Sequence, residues 1–398
     1  MTITVVYGCV DPFEAATQNY ESTLVVEAAI TNELKFQEIN LGRTYRLENE
    51  GQGFEINASV AVVDDAQNSY NFQEIDSGRY RSDIKFGVLP DRDYQLLITT
   101  SSGKKYTSVP AKLTATVDEF SISATKEINE DGMEGVLIAA HSFDPNDNSK
   151  FYRFDYEETF KIVAPYWSPL DAFGVSPIPT RTEPPLHEVY TLPRTKEEET
   201  CYKLMESSEI LQTDTNSLIE DRVINFPVKF LPKDEFKITH RYSILVRQYV
   251  QTLEASSFFK TLNKFSGSES LFSQKQQGFI AGNIYAIDDP DEKAIGYFEV
   301  SSAKTQRLFF DFEDFFPGEE KPPHIVDCHV IKPELDDHSL FGNPDFSPLI
   351  QLLLYQGFKF VDFNEGVDFV NNPYFIVRKE CGDCTSLGSN IKPDYWID

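Results

Sequence analysis

Four cysteines beyond position 200 carry the clearest chemistry in this chain: Cys201, Cys328, Cys381 and Cys384. Cys381 and Cys384 frame the stretch "CGDC", and Cys328 stands beside His329 in "DCH". Tetrahedral zinc takes four nitrogen and sulfur ligands, so Cys328, His329, Cys381 and Cys384 make the best metal candidate. Its spacing argues against it, because one half lacks the paired knuckle of a structural zinc site. A redox-active Cys-x-x-Cys needs a βαβ setting and a helix N-terminus, and nothing around 381 offers either. Disulfide pairing is the favoured expectation for an exported chain, with three connectivities open. Neither a metal nor another cofactor is expected.

Other chemistry is sparse. The chain lacks G-x-S-x-G, H-E-x-x-H and a phosphate-binding glycine loop, so the portable hydrolase and nucleotide signals are missing. "DPNDNSK" (144–150) alternates oxygen donors like a calcium loop, yet lacks its glycine and distal glutamate, so a solvated turn is expected. The six histidines are scattered, and with 64 acidic residues no carboxylate pair stands out. The chain is expected not to be an enzyme.

The net charge of −28 disfavours nucleic acid and anionic membrane surfaces as partners and favours solubility. No stretch reaches the roughly 20 apolar residues of a membrane-spanning helix. With 398 residues, more than one core is expected. The 32 Phe and 19 Tyr against 3 Met favour pleated, half-buried surfaces over helices.

Those surfaces are visible as short alternating runs. Stretches 22–31, 36–45, 57–65, 69–75, 79–86, 93–100 and 104–109 read as strands separated by turn residues. Tyr80, Ile84 and Phe86 share one predicted face, as do Tyr94, Leu96 and Ile98. Seven strands in so short a span predict an immunoglobulin-like or transthyretin-like β-sandwich over 22–115. A larger β-rich, fibronectin-III-like region with few short helices is expected over 116–398, making the fold all-β.

In "FYRFDYEETFKI" (151–162), Tyr152, Phe154, Tyr156, Phe160 and Ile162 hold one face. Glu158 falls on that same face. Buried, it needs a cation or several donors; a bulge returning it to solvent is the expected alternative. Residues 164–200 contain seven prolines and no period, which excludes a central strand or a helix. Tyr166, Trp167, Phe173 and Tyr190 punctuate this insertion, which reads either as a contact loop or as a tether packed over the sheet. Strands are expected at 221–231, 241–252, 278–287, 294–302 and 307–316. Helices are expected after Thr252, with Phe258, Phe259, Leu262 and Phe265 on one face, and after Ser347-Pro348, ending at Gly357.

At the start, residues 10–21 are polar and aperiodic and read as a tether. Cys9 is then either a packed thiol or a lipid attachment point. Residues 1–8 are too short and uncharged for a whole signal peptide, so 1–21 is read as a leader remnant plus tether.

Taken in order, "CVDPFE" (9–14), "LVVEAAIT" (24–31), the run from Ser77 to Ser108, "FYRFDYEETFKI" (151–162), "RYSILVRQY" (241–249), "GNIYAIDDPDEKAIGYFEVSS" (282–302) and "CGDCTSLGSNIKPDYW" (381–396) resemble the Bacteroidota outer-membrane lipoproteins of domain of unknown function 4249. The resemblance implies a processed, lipid-bearing Cys9, a first unit like a carboxypeptidase-regulatory module, and residence in the outer membrane facing the cell surface. It also implies a TonB-dependent receptor as partner in nutrient uptake, by ligand binding or docking. The ligand, a small molecule, glycan or peptide, is left unnamed. Two other readings stay open: a surface hydrolase on glycan or peptide, and a structural or adhesive surface protein.

Overall fold

The computed structural model describes residues 22–45, 53–175, 187–266, 280–336, 346–368 and 370–398. Cys9 and the expected tether lie outside them. The chain divides into two compact units, Met1–Ala115 with Gln251–Ser302, and Thr116–Val250 with Ala303–Asp398. The first unit thus joins the stretch through Ala115 to a segment from far along the chain, Gln251–Ser302. Strands are the main regular structure of both units, and the fold is all-β with few short helices.

The first unit is a single sheet. Its strands run in the order Ile284–Ala286, Lys105–Ser108, Asp93–Thr99, Ser59–Asp64, Ser69–Asp76, Arg79–Ser82, Glu38–Arg43, Leu24–Thr31 and Ala294–Ser301. Alternation drives it: Tyr94, Leu96 and Ile98 are fully buried together with Val60, Val62, Leu24 and Ile30. The two strands from the late segment cap opposite ends of the order, so the sheet nearly closes. Ala294–Ser301 runs parallel to Leu24–Thr31, with Val26 opposite Gly296. Gly296 has φ +147°, and a Cβ there would stand 2.0 Å from the Val26 carbonyl oxygen, so only glycine permits this approach.

One expectation in this unit is corrected. The strand over 79–86 stops at Ser82, whose hydroxyl donates to the Ile84 carbonyl (2.8 Å), and Ile84 is left exposed while Phe86 turns inward. Buried Gln37 secures the bend: its amide group accepts from the Thr31 N–H and donates to the Thr31, Glu33 and Phe86 carbonyls.

In the second unit two sheets face each other. One comprises Glu119–Ile128, Glu134–Asp144 and Asp221–Pro232; the other has Thr200–Glu206, Phe151–Val163, Tyr242–Gln251 and Ala303–Phe310 in that order, with Leu211–Asp214 beside Phe151–Val163. Val136, Ile138 and Ala140 from the first meet Tyr152, Phe154, Phe160, Ile244 and Val246 from the second. Phe154 stacks on Phe226 at 4.9 Å between ring centroids. The expected strand over 307–316 splits: the sheet strand ends at Phe310 and a helical turn, Phe312–Phe315, follows, with the Asp311 N–H donating to Asp314. This turn buries Phe312 and Phe316.

The proline-rich insertion builds a smaller core. Leu170–Val175 pairs with Glu188–Pro193, and this ribbon packs with helix Pro348–Tyr355 and hairpin Lys359–Phe363/Tyr374–Val377 around Ala172, Leu349, Leu353, Phe360 and Ile376. The Ser347 hydroxyl caps that helix by accepting from the Ile350 N–H (3.2 Å), and Gly357 follows it at φ +71°. Residues 176–186 lie outside the described residues.

Candidate functional site

A cleft of about 810 Å³ opens in the first unit, within the range of small-molecule sites. Three stretches form its walls. After strand Lys105–Ser108 the chain passes through Val109 and Pro110 into Ala111–Lys112, which pairs with the Asp93–Thr99 edge, and on to Leu113 and Thr114. Helix Leu253–Ser266 supplies Glu254, Ala255, Ser257, Phe258 and Thr261. The third wall is Ile280–Asn283 with Tyr297–Val300 of the parallel strand.

Local sequence explains each wall. Thr252 caps the helix, its hydroxyl accepting from the Ala255 N–H (3.2 Å). The amphipathic spacing then turns Phe258 inward, against Phe259 at 5.4 Å and Tyr297 at 5.5 Å between ring centroids. Gly282 lets the third wall lie close, since a Cβ there would overlap the Gly296 carbonyl. The Asn283 amide clamps it by donating to the Phe298 carbonyl (2.8 Å) and accepting from the Phe298 N–H (2.7 Å).

The lining is mostly apolar, with few charges. Lys112 and Glu254 stand exposed, and Glu299 is buried, accepting from the Gln251 amide at 3.1 Å. Burial holds the Tyr297 phenol above its ordinary pKa, so it stays a neutral hydrogen-bond donor. Such a lining suits an apolar or amphipathic molecule carrying hydroxyl or amine groups better than an anion.

The cysteines settle in two pairs. Cys201 bonds to Cys384, and Cys328 to Cys381, so the two cysteines of "CGDC" go to different partners. The zinc set is not assembled. Its four sulfur and nitrogen ligands are split between these bonds and His329, which is 77% exposed and bridges to Asp327. His324 instead lies beside the second bond, with Nδ1 3.7 Å from the Cys328 sulfur.

Glu158 is buried on the aromatic face, and strand Phe151–Val163 pairs through Glu158–Met205 without a bulge. The expected return to solvent is therefore overturned. Tyr242 donates to its carboxylate at 2.8 Å, Lys237 lies at 3.1 Å and Lys229 at 3.9 Å. Both lysines keep partial exposure, spanning from core to water.

The aromatic residues of the proline-rich insertion divide. Trp167 packs half-buried against the large core, whereas Phe173 and Tyr190 oppose each other across the ribbon as an exposed stack with centroids 6.0 Å apart. Tyr166 is exposed and its N–H donates to the Cys381 carbonyl. In "DPNDNSK" the oxygens of Asp144 are used within the loop, by the N–H groups of Asn146 and Asn148 and the Ser149 hydroxyl. Burial pushes the Asp144 carboxyl up, but these bonds more than reverse it, and its pKa lies below the usual value. Asp64 takes the same bonds from Ala66 and Asn68 in the first unit, so this is a loop-closing device used twice.

The sequence displays the inward face of Phe258 but not the union of 251–302 with the first unit, on which the cleft depends.

Residues 10–307 match the family model described as "Domain of unknown function (DUF4249)". The chain belongs to that family. The match covers the described part of the first unit with the whole cleft, takes in the second unit only as far as 307, and stops short of Cys328, Cys381 and Cys384. No curated protein matches this DUF4249 chain. Among solved structures, one titled "Biofilm associated protein - BSP domain" aligns at 10% identity over 78% of this chain and 63% of its own length, with a TM-score of 0.15. A score so low carries no argument about fold or function.

Proposed function

We propose that this DUF4249 member is a non-enzymatic, lipid-anchored protein of the outer-membrane surface that binds an apolar or amphipathic small molecule and serves a TonB-dependent receptor in its uptake. The cleft of the first unit carries the binding part of this reading: it has the size, apolar lining and few oriented polar groups of a small-molecule site. The resemblance of "CVDPFE" (9–14) and the stretches after it to outer-membrane lipoproteins supports the anchor at Cys9 and the receptor partnership. The acidic surface suits a soluble body held at a membrane by lipid rather than by charge.

The test has two arms. The precursor is expressed in a native-type host with radiolabelled palmitate, crosslinked and purified; label in the protein and a TonB-dependent receptor among the crosslinked partners are expected. Organic extraction of the purified chain followed by mass spectrometry is expected to release a small molecule from wild type and much less from Ser257→Trp, whose exposed helix position fills the cleft without touching the core. Equal recovery from both proteins sinks the cleft assignment, and loss of label with no receptor captured sinks the location.

A further inference from the structure

The two disulfides differ in access. Cys201, Cys384 and Cys381 are fully buried, whereas Cys328 is half-buried on an irregular, mostly exposed segment, 321–330. A dithiol can therefore reach the Cys328–Cys381 bond through the Cys328 sulfur, while Cys201–Cys384 is shielded on both sides. Among the described residues, that segment is tied down by the Thr239 hydroxyl donating to the Pro322 carbonyl, by Lys321 pairing with Glu313 at 3.0 Å and, just beyond it, by an isolated bridge of Ile331 with Ile376.

His324 sits four residues before Cys328, and its ring packs edge-on against Phe236 at 5.1 Å. One ring nitrogen of His324 and the sulfurs of Cys328 and Cys381 all lie within 4.8 Å of one another. The 3.7 Å from His324 Nδ1 to the Cys328 sulfur is already close to the roughly 3.6 Å that nitrogen and sulfur ligands keep on one tetrahedral zinc ion. The other ring nitrogen, Nε2, is buried with no hydrogen-bond partner among the described residues. No group in this cluster is used by the cleft in the other unit.

We propose that Cys328–Cys381 is a reducible cover over a cation site, and that its reduction frees His324, Cys328 and Cys381 to bind zinc or a similar thiophilic divalent ion. A dithiol reductant delivers two electrons and two protons to the S–S bond, giving two thiols and leaving as its own cyclic disulfide. The incoming cation displaces both thiol protons to solvent and forms two metal–sulfur bonds and one metal–nitrogen bond. The fourth position is open to water or an outside ligand, the arrangement of reactive rather than purely structural zinc sites.

Limited dithiol treatment followed by alkylation and peptide mass spectrometry is expected to modify Cys328 and Cys381 before Cys201 and Cys384. Co2+ added to the selectively reduced, unalkylated chain is expected to give thiolate charge-transfer absorption and the intense visible bands of tetrahedral cobalt, both reversed by Zn2+. The oxidised chain is expected to give neither. His324→Ala is expected to weaken Co2+ binding about tenfold or more, while His329→Ala leaves it unchanged. Circular dichroism before and after reduction establishes that the chain remains folded, and Cys328→Ala/Cys381→Ala provides a folded, bond-free comparison that should bind no Co2+. Equal affinity in His324→Ala, bands in the oxidised chain, or earlier reduction of Cys201–Cys384 overturns the proposal.

Discussion

The Tyr242 hydroxyl donates to the Glu158 carboxylate at 2.8 Å in the interior of the second unit. Burial, followed by the neighbouring charge of Glu158, raises the Tyr242 pKa well above its ordinary value, so the phenol keeps its proton and remains a donor. The carboxylate is thereby held between one neutral donor and two lysines that reach it from the surface. Glu158→Ala is expected to destabilise by about 3 kcal/mol, the low end of the cost of breaking a buried pair, because both lysines can turn toward water. Tyr242→Phe should cost about 2 kcal/mol, the scale of one hydrogen bond to a charged group. Denaturant unfolding of both variants checks this; a cost below about 1 kcal/mol for Glu158→Ala would mean the cluster does not hold the sheets.

Stability should fall as pH drops from about 6.5 toward 4. Burial, then the charges of Lys321 and Lys161, pushes the His240 pKa down to about 4, while the unfolded chain titrates near 6.5. Between those values the unfolded state holds more protons, so acid favours unfolding; below 4 both states are protonated and His240 adds nothing further. His324, also lowered by burial, contributes with the same sign. Unfolding free energies measured from pH 7 to 4 should show a shallower decline in His240→Asn than in wild type. Parallel curves would rule out His240 as a source of the slope.

Gly296→Ala is expected to destabilise the first unit by about 3 kcal/mol or more, because φ +147° is strained for any L side chain and the new Cβ meets the Val26 carbonyl. Hydrogen exchange should reveal the loss in strands Leu24–Thr31 and Ala294–Ser301. Wild-type protection in those strands would contradict the close parallel pairing.

Cys201→Ser/Cys384→Ser should lower stability by about 2–5 kcal/mol, the usual cost of losing a native disulfide. The C-terminal segment it holds also lies across one face of the sheet: Trp396 is buried edge-on against Tyr202 and Phe309, and the Tyr395 hydroxyl lies 2.7 Å from that of Thr159. Quenching of tryptophan fluorescence by iodide is expected to rise in the double variant. Unchanged quenching would show that the tail stays docked without the bond.

Alternation with a two-residue period, turn residues at short intervals and two capped helices are local properties, and they made the all-β class, most strands and the inward face of Tyr94, Leu96 and Ile98 legible in the sequence. The same period put Glu158 on the buried face, but whether donors waited there depended on Lys229, Lys237 and Tyr242, more than 70 residues away. Cysteine count and spacing allowed three pairings, and the choice followed from which segments the folded sheets bring together. The cleft depended on tertiary structure in the same way. Its walls come from 109–114, 252–261 and 280–300, and nothing in the local pattern says that a segment beginning at Gln251 completes a sheet begun at Leu24. Side-chain periodicity fixes which face of a strand is buried; only the closure of the whole sheet decides which strand lies beside it.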